Sequence, residues 1–429
     1  MAGARAAVLV VPAAIYVLSY VHRIAPAVVA TDLMQAFAIT AASLGALAAI
    51  YPYVFVVMAF VGGSLVETLG PSLTLTTGAT TMAVGAALFG LAPVFGVAVA
   101  GRLLVGFGAS VVLIAWLTLA AEWYRPERFA TISGWTQTVG HIGALTASSP
   151  LALAVEAIGW RSAFVVIGGV TFLLALAALL LVRDRPEGAG LPAVNPRRRR
   201  GAPPLADVLA SIPAILTNLQ TWPPILAAAG VYATLTTLLG LWGVPYLTQV
   251  YGLGRVAAAN TTAWLAAGIV VGAPLVGWLS DRRLALRKLP LGVCTGLYAA
   301  CWLVLVAPSD LRAPVTLLGP LFLFMGLTAS GLILVWSCVR EVNNPAHVGA
   351  VIGICNAPIF LALALLQSLT GAILDAKWAG LAAGGVRIYP EAGYRAAFVV
   401  CLAVAAGSLV STLFVTETRC RNIWKRAAH

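Results

Sequence analysis

The sequence predicts an all-α membrane protein in which twelve transmembrane helices form two pseudo-symmetric six-helix bundles. Three observations predict this class: the composition, a series of long uncharged apolar runs, and an internal repeat. The chain has 429 residues, of which 61% are hydrophobic and 9% charged, and its mean hydropathy is +0.97. Soluble domains carry about 25% charged residues, so lipid must solvate most of this chain.

Twelve apolar stretches are long enough to cross a bilayer core of about 30 Å at about 1.5 Å per residue. These spans cover residues 8–30, 44–66, 73–91, 95–119, 130–154, 162–182, 224–249, 257–279, 289–307, 314–339, 348–374 and 396–415. They lack the period-two alternation of transmembrane strands, which are only about 9–11 residues long. The first stretch is interpreted as a span and not as a cleaved signal peptide, because its basic flank is Arg5 alone.

Two pairs of short strings repeat in register. "GWRSAF" (Gly159–Phe164) precedes span six, and "GYRAAF" (Gly393–Phe398) precedes span twelve. "GSLVE" (Gly63–Glu67) closes span two, and "GWLSD" (Gly277–Asp281) closes span eight. The register indicates an internal duplication. Parallel repeats of this kind build one major group of secondary transporters.

The duplication and one long polar break divide the chain into three parts. We expect an N-terminal bundle at 1–182, a cytoplasmic linker at 183–223 and a C-terminal bundle at 224–429. The linker holds "NPRRRRGAPP", a composition typical of flexible connections. Arg197–Arg200 is interpreted as a topology anchor, which anionic lipid favours by about 1 kcal/mol per charge.

Loop charges predict the orientation. Of the 26 Lys and Arg residues, 18 fall in one set of loops, six in the other set and two within spans. The positive-inside rule then predicts that both termini lie in the cytoplasm. The net charge of +12 therefore reports topology, and no nucleic-acid partner is expected.

Several chemistries are not expected from the sequence. The six cysteines are scattered without a CxxC pair, which gives no disulfide framework and no metal site. There is no GxxxxGK[ST] motif for ATP, and no nucleophile–base pair or metal-ligand cluster for catalysis. The prediction is a protein that is not an enzyme and needs no cofactor.

Longer strings resemble the major facilitator superfamily. "GWLSDRRLALRK" (277–288) is similar to its loop motif, and "GRLLVGFGAS" (Gly101–Ser110) to its fourth-helix pattern. "HRIAPAVVATDLMQAF", "LWGVPYLTQVYGL" and "ETRCRN" resemble bacterial carriers of the sugar-phosphate-permease-like or organic-anion type. The resemblance implies secondary transport by alternating access across the inner membrane of a bacterium. It also implies a midplane site flanked by the first and fourth helices of each half, which are spans one, four, seven and ten.

Spans one and four carry the residues that predict an anion site. Tyr16, Tyr20 and Arg23 share one face of span one. Arg23 and Arg102, the latter in span four, each lie about 10 Å from the outer end at about 1.5 Å per residue. No Asp or Glu falls inside the spans as drawn, and Arg binds carboxylate or phosphate in bidentate fashion. We expect both arginines to hold a small organic anion: a carboxylate, a sugar acid or a phosphorylated solute.

An alternative for Arg102 is a structural role. Its guanidinium would then bond backbone carbonyls where spans one and four pack, which is the role that the resemblance implies for the matching arginine. For Arg23 the corresponding alternative is that its long side chain reaches the membrane interface.

Other positions complete the predicted site. Tyr232 and Thr236 share a face of span seven, and Asn356 lies in span eleven; all three are candidate substrate contacts. His141 is a candidate proton relay, although packing is the commoner role of such a histidine. Proton coupling and anion exchange both stay open.

Gating is implied by the resemblance at two loops. In the family, an acid here bonds a helix N-terminus and a nearby basic group. Asp281 with Arg282 and Arg283 is the better candidate, because the loop of Glu67 lacks the usual cations. A monomer in the lipid bilayer is expected. The alternatives are an amino-acid, siderophore or drug carrier of the same fold, or a transporter-like solute sensor.

Overall fold

The computed structural model describes residues 2–124, 126–190, 213–344, 348–383 and 386–424, and the structural statements below concern these residues. Nearly all of them are helical. The N-terminal helices are α1 (Ala2–Val28), α2 (Ala30–Phe37), α3 (Ala41–Leu69), α4 (Pro71–Gly90), α5 (Phe95–Trp123), α6 (Pro126–Thr146) and α7 (Ser149–Leu181).

The C-terminal helices follow after the linker. They are α8 (Trp222–Thr237), α9 (Gly243–Tyr251), α10 (Arg255–Trp278), α11 (Lys288–Leu305), α12 (Val315–Ala329), α13 (Ile333–Val342), α14 (Val348–Ala376) and α15 (Glu391–Leu413). A small antiparallel hairpin, β1 (Ala382–Ala383) and β2 (Val386–Arg387), joins the last two helices.

The predicted spans are present as long apolar helices. Within the described chain, 11 helical stretches are long and apolar enough to cross a membrane. One of them, Thr138–Leu181, has 44 residues and breaks at Gly159, where φ is 77° and ψ is 155°. Glycine tolerates this positive φ because it has no Cβ. "GWRSAF" thus begins at the turn between spans five and six, and the prediction of a twelve-span all-α membrane fold is confirmed.

The chain forms two compact units whose boundaries fall inside helices. The first unit holds residues 1–25 and 53–205, and the second holds 26–52 and 206–429. The chain therefore leaves the first unit at Ala25/Pro26, within α1, and returns at Pro52/Tyr53, within α3. Both crossings coincide with a proline inside a membrane helix.

In the first unit, α4 lies against α5 and α7. Residues just after α7 make polar contacts with the start of α4 and the end of α5. Asp184 accepts a hydrogen bond from the N–H of Ser72 at 2.7 Å, and Trp123 donates from Nε1 to the carbonyl of Arg183 at 2.8 Å. A carboxylate at this place caps α4, because the first N–H groups of a helix lack intrahelical partners.

In the second unit, α8 lies against α14 and α15, and α11 packs on α15. The continuation of α8 is a π turn at Leu238–Trp242, and a 3₁₀ turn at Ser330–Leu332 joins α12 to α13. Spans seven and ten are therefore both irregular near their middle. Such π turns occur often at functional sites.

The second unit also contains the segment between the two boundary prolines. Asp375, at the end of α14, accepts from the N–H of Ala42 at 2.8 Å and from the hydroxyl of Tyr389 at 2.7 Å, which caps α3. Asp32 pairs with Arg255 at 2.8 Å. These contacts fix α2 and the start of α3 to the C-terminal helices.

Candidate substrate-binding site

Arg23 lies inside the first unit on aromatic faces. Arg23 is only 9% exposed to solvent. The guanidinium carbon is 4.4 Å from the ring centroid of Tyr20 and 5.3 Å from that of Phe55 on α3. Cation–π contacts at these distances stabilise a desolvated guanidinium by about 2 kcal/mol. The cation is thus held at depth without reaching bulk water.

Tyr20 and Tyr16, the tyrosines expected at the site, form a series of ring contacts that begins at Arg23. Tyr20 and Tyr16 meet edge to face with centroids 5.2 Å apart, and Tyr16 lies 5.6 Å from Trp116 on α5. Tyr20 also lies 5.6 Å from His141 on α6. The structure therefore brings together Arg23, both tyrosines and His141.

Trp116 is the member of this group that the sequence did not single out. It is 3% exposed, and its indole Nε1 is buried without a hydrogen-bond partner in the described part of the chain. A buried donor without a partner costs about 1–3 kcal/mol. The signal was available, because Trp116 is an aromatic residue with a polar N–H in span four, one of the helices expected to flank the site.

Two glycines of α6 set the position of the rings. A Cβ at Gly140 would lie 2.7 Å from the Tyr20 ring and 3.2 Å from that of Tyr16. A Cβ at Gly143 would lie 2.3 Å from the carbonyl oxygen of Val17. Only glycine permits this approach of α6 to α1, which explains part of the small-residue string "GHIGALTASS".

Arg102 is directed at the main chain of α1. Its Nη1 donates to the carbonyl oxygen of His22 at 2.5 Å, and its Nη2 donates to that of Arg23 at 3.3 Å. The residue is 4% exposed. The Nε2 atom of His22 lies 3.1 Å from the hydroxyl oxygen of Thr171 on α7. These contacts are the ones expected from the alternative in which Arg102 bonds the backbone carbonyls of span one.

The C-terminal candidates lie in the second unit. Tyr232 is half-buried, and its ring centroid is 5.6 Å from that of Phe360 on α14. Asn356 is half-buried one helical turn before Phe360, so it shares the face that Tyr232 contacts. Thr236 is 6% exposed and lies one turn after Tyr232, two residues before the start of the π turn. These three residues line neighbouring positions of α8 and α14.

The gating residues proposed for the second half have a different partner from the one expected. Asp281 pairs with Arg287 and not with Arg282, whose side chain is exposed. The reason is local. The π turn at Leu279–Leu284 ends at Ala285 with a positive φ of 51°, which turns Arg287 back onto the end of α10.

Arg287 is the centre of a buried network. It donates to Glu341 from Nη2 at 2.9 Å and to the hydroxyl of Ser280 at 3.0 Å, and Thr418 also donates to Glu341. Burial alone would lower the pKa of Arg287, but its hydrogen bonds to Glu341 and Asp281 outweigh burial and raise it. The guanidinium therefore stays charged.

Glu417 caps the helix that begins beside Arg287. It accepts from the N–H of Arg287 at 2.9 Å and from that of Lys288 at 2.9 Å. Burial would raise the pKa of Glu417, but these main-chain hydrogen bonds dominate and lower it.

In the first half, Glu67 is exposed, and the carboxylate that caps α4 belongs to Asp184. Asp184 in "VRD" and Glu417 in "VTE" occupy matching places after spans six and twelve. The internal repeat could have found both acids.

Comparisons with known proteins agree with the fold. The profile of the Major Facilitator Superfamily matches residues 12–366. A probable L-galactonate transporter of Escherichia coli is 24% identical over 94% of this chain and 87% of its own. The membrane sensor protein UhpC of the same species is 25% identical, over 61% of this chain and 62% of its own.

A solved structure has the same architecture. It is a bacterial homolog of the human lysosomal transporter Spinster, with a TM-score of 0.79 and 18% identity, and it covers 100% of both chains. At this identity the likeness concerns the fold alone. The family profile, which spans most of the sequence, carries the assignment further: this chain is a multi-pass membrane protein that belongs to the Major Facilitator Superfamily.

Proposed function

We propose that this protein is a secondary transporter that carries a small organic anion across a bacterial inner membrane by alternating access, without catalysing a reaction. The observation that carries the proposal is Arg23, a cation 9% exposed in a membrane-spanning helix. An arginine inside a membrane span is costly, by up to about 2.5–3.5 kcal/mol at the helix centre on insertion scales. A carboxylate or phosphate that accepts two hydrogen bonds from the guanidinium offsets that cost.

The substrate class that fits best is a hydroxylated carboxylate of the sugar-acid type. The rings of Tyr16 and Tyr20 offer apolar faces beside Arg23. The indole N–H of Trp116 offers a donor for a hydroxyl or carboxylate oxygen. The probable L-galactonate transporter among the relatives supports the same class. A phosphorylated solute is the second choice.

Transport also requires further substrate contacts and a conformational change. We assign further substrate contacts to Tyr232, Thr236 and Asn356 of the second unit, and the motion of alternating access to the halves 1–182 and 224–429, which the linker joins. Asp281 acts in gating together with Arg287, its partner in the second unit. Arg282 and Glu67 are exposed and have no such partner role in this proposal.

Orientation and coupling complete the proposal. The excess of Lys and Arg in one set of loops supports cytoplasmic termini, and the carrier works as a monomer. His141 beside Tyr20 supports proton coupling as one alternative. Exchange of one anion for another is the other alternative, and a pH gradient distinguishes them, because only the first responds to it.

The test is uptake of labelled galactonate and related sugar acids into proteoliposomes. Arg23→Met is expected to abolish uptake and to keep insertion and the yield of folded protein. Arg5→Met is the matched control, since Arg5 lies on the same helix with an exposed side chain, and it is expected to transport normally. Full uptake by Arg23→Met would remove this residue from the site, and uptake of cations but not anions would refute the substrate class.

A solute sensor is the second candidate, because one relative is the membrane sensor protein UhpC. A sensor and a carrier both bind the anion, and both gain thermal stability from it. Only a carrier accumulates it inside vesicles. Saturable binding without accumulation would favour the sensor.

A further inference from the structure

One end of the second unit carries a cluster of exposed cations. Three membrane-spanning stretches have an end here: α10 with the π turn that continues it, α11 and α15. The turn between α10 and α11 supplies two arginines, and the segment after α15 supplies two more. We call these four exposed residues the arginine patch: Arg282, Arg283, Arg419 and Arg421.

Polar contacts hold the two segments of the patch side by side. Lys288 donates from Nζ to the carbonyl of Leu413 at 2.6 Å, and its N–H donates to Glu417 at 2.9 Å. The Sγ atom of Cys420 lies 3.8 Å from the carbonyl oxygen of Ser280. Two patch arginines flank Cys420 and the other two follow Ser280 within three residues. These contacts therefore gather all four cations in one place.

The carboxylates beside the patch are already engaged. Asp281 and Glu341 both pair with Arg287, and Glu417 accepts the main-chain N–H groups at the start of α11. Among the residues that the structure describes, no patch arginine forms an ion pair. A surface of uncompensated like charges attracts anions, so this patch favours a negatively charged ligand.

The surroundings of the patch are apolar. Trp278, Leu289 and Phe414 are exposed at the ends of α10, α11 and α15, and the guanidinium carbon of Arg283 is 5.5 Å from the centroid of the Trp278 ring. Tryptophan is typical of the interface between membrane and water. The patch therefore lies at headgroup depth, beside helix surfaces that hydrocarbon covers. A ligand that matches both surfaces has an anionic head and acyl chains.

We propose that the arginine patch binds the phosphate of an anionic phospholipid, whose acyl chains lie on the exposed apolar ends of α10, α11 and α15. Guanidinium groups bind phosphate oxygens in bidentate fashion. The patch belongs to the loops rich in Lys and Arg, which face the anionic cytoplasmic leaflet in the proposed orientation. The binding site does not depend on which solute the protein carries.

The test is lipid binding by the full-length protein in detergent, measured by native mass spectrometry. The probe is dioleoylphosphatidylglycerol, and dioleoylphosphatidylcholine is the zwitterionic comparison with the same chains. Arg282→Gln combined with Arg419→Gln removes one cation from each segment. This double variant is expected to bind the phosphatidylglycerol about tenfold or more weakly, because each cation near a headgroup contributes to the attraction. Its weaker binding of the phosphatidylcholine is expected to stay unchanged.

The matched control is Arg183→Gln combined with Arg185→Gln. Both residues are exposed arginines of the first unit, so the control loses the same charge away from the patch. It is expected to bind the phosphatidylglycerol as the unchanged protein does. An equal loss in the control would show general attraction by a basic surface and would overturn the site.

Thermal unfolding gives a second readout. A lipid that binds the folded state raises Tm, and the rise with phosphatidylglycerol is expected to be smaller in the patch variant than in the control. If the patch variant does not fold, Arg283→Gln combined with Arg421→Gln replaces it in the same measurements. Equal affinity of the unchanged protein for the two lipids would refute the anionic headgroup. Inorganic phosphate that displaces the lipid at equal concentration would show a site for soluble anions and would refute the lipid.

Discussion

The buried network around Arg287 gives a quantitative prediction. Arg287 and Glu341 both have side chains only 5% exposed, and their closest atoms are 2.9 Å apart. Removing one partner of such a pair leaves the other charge buried and typically costs about 3–5 kcal/mol. In Glu341→Gln, Arg287 keeps Asp281 and Ser280 as acceptors. We therefore expect the lower end of the range, about 3 kcal/mol of unfolding free energy.

The assay is denaturant unfolding in detergent micelles, followed by tryptophan fluorescence, for Glu341→Gln, Arg287→Met and the double variant. Because the two residues contact each other, their effects should not add. The double variant should be more stable than the sum of the single losses predicts, by about 1–3 kcal/mol. Glu391→Gln is the matched control. It removes one partner of an ion pair with Arg312 whose side chains are 37% and 26% exposed, and such pairs contribute about 0–1 kcal/mol.

Two results would refute this reasoning. Strict additivity of the single variants would show that Arg287 and Glu341 do not stabilise each other. A loss in Glu341→Gln no larger than that in Glu391→Gln would show that the network is not desolvated in the protein.

Two further predictions concern the site and the pH response. Gly140→Val should abolish anion uptake, since its Cβ would overlap the Tyr20 ring at 2.7 Å; Gly169→Val, with nothing within 4 Å of its Cβ, should transport normally, and equal transport by both variants would contradict the role of Gly140. The lowered pKa of Glu417 in the folded state means that its contribution to stability is present above the ordinary glutamate pKa and is lost as pH falls through the lowered value. Unfolding measured across acidic pH should therefore show a smaller pH dependence in Glu417→Gln, and an unchanged profile would rule out this cap as its source.

Much of the fold follows from the sequence because the bilayer imposes a simple requirement. Every span must be predominantly apolar and must satisfy its backbone internally, so long and mostly uncharged runs predict the helices directly. The string "GWRSAF" was placed before span six, and Gly159 has the positive φ of the break that precedes this span. The π turn at Leu238–Trp242 leaves no comparable pattern in the residues around it.

The grouping of residues at the candidate site was predicted only in part, for a physical reason. Tyr16, Tyr20 and Arg23 share a helix face, which spacing reveals. Trp116 joins them by tertiary packing of α5 on α1, which spacing within one helix does not encode. Arg287 reaches Asp281 through a turn with a positive φ at a non-glycine residue, so this ion pair could not be predicted from the neighbouring residues Arg282 and Arg283.

The segment between Pro26 and Pro52 belongs to the same compact unit as the C-terminal helices, although it comes from the first quarter of the chain. Two contacts hold it there: Asp375 accepts a hydrogen bond from the start of α3, and Arg255 forms an ion pair with Asp32. If the protein were cleaved within the linker, the two pieces would therefore still be held together by these contacts. The N-terminal piece would supply α2 and the start of α3 to the second unit, whose other residues all come from the C-terminal piece.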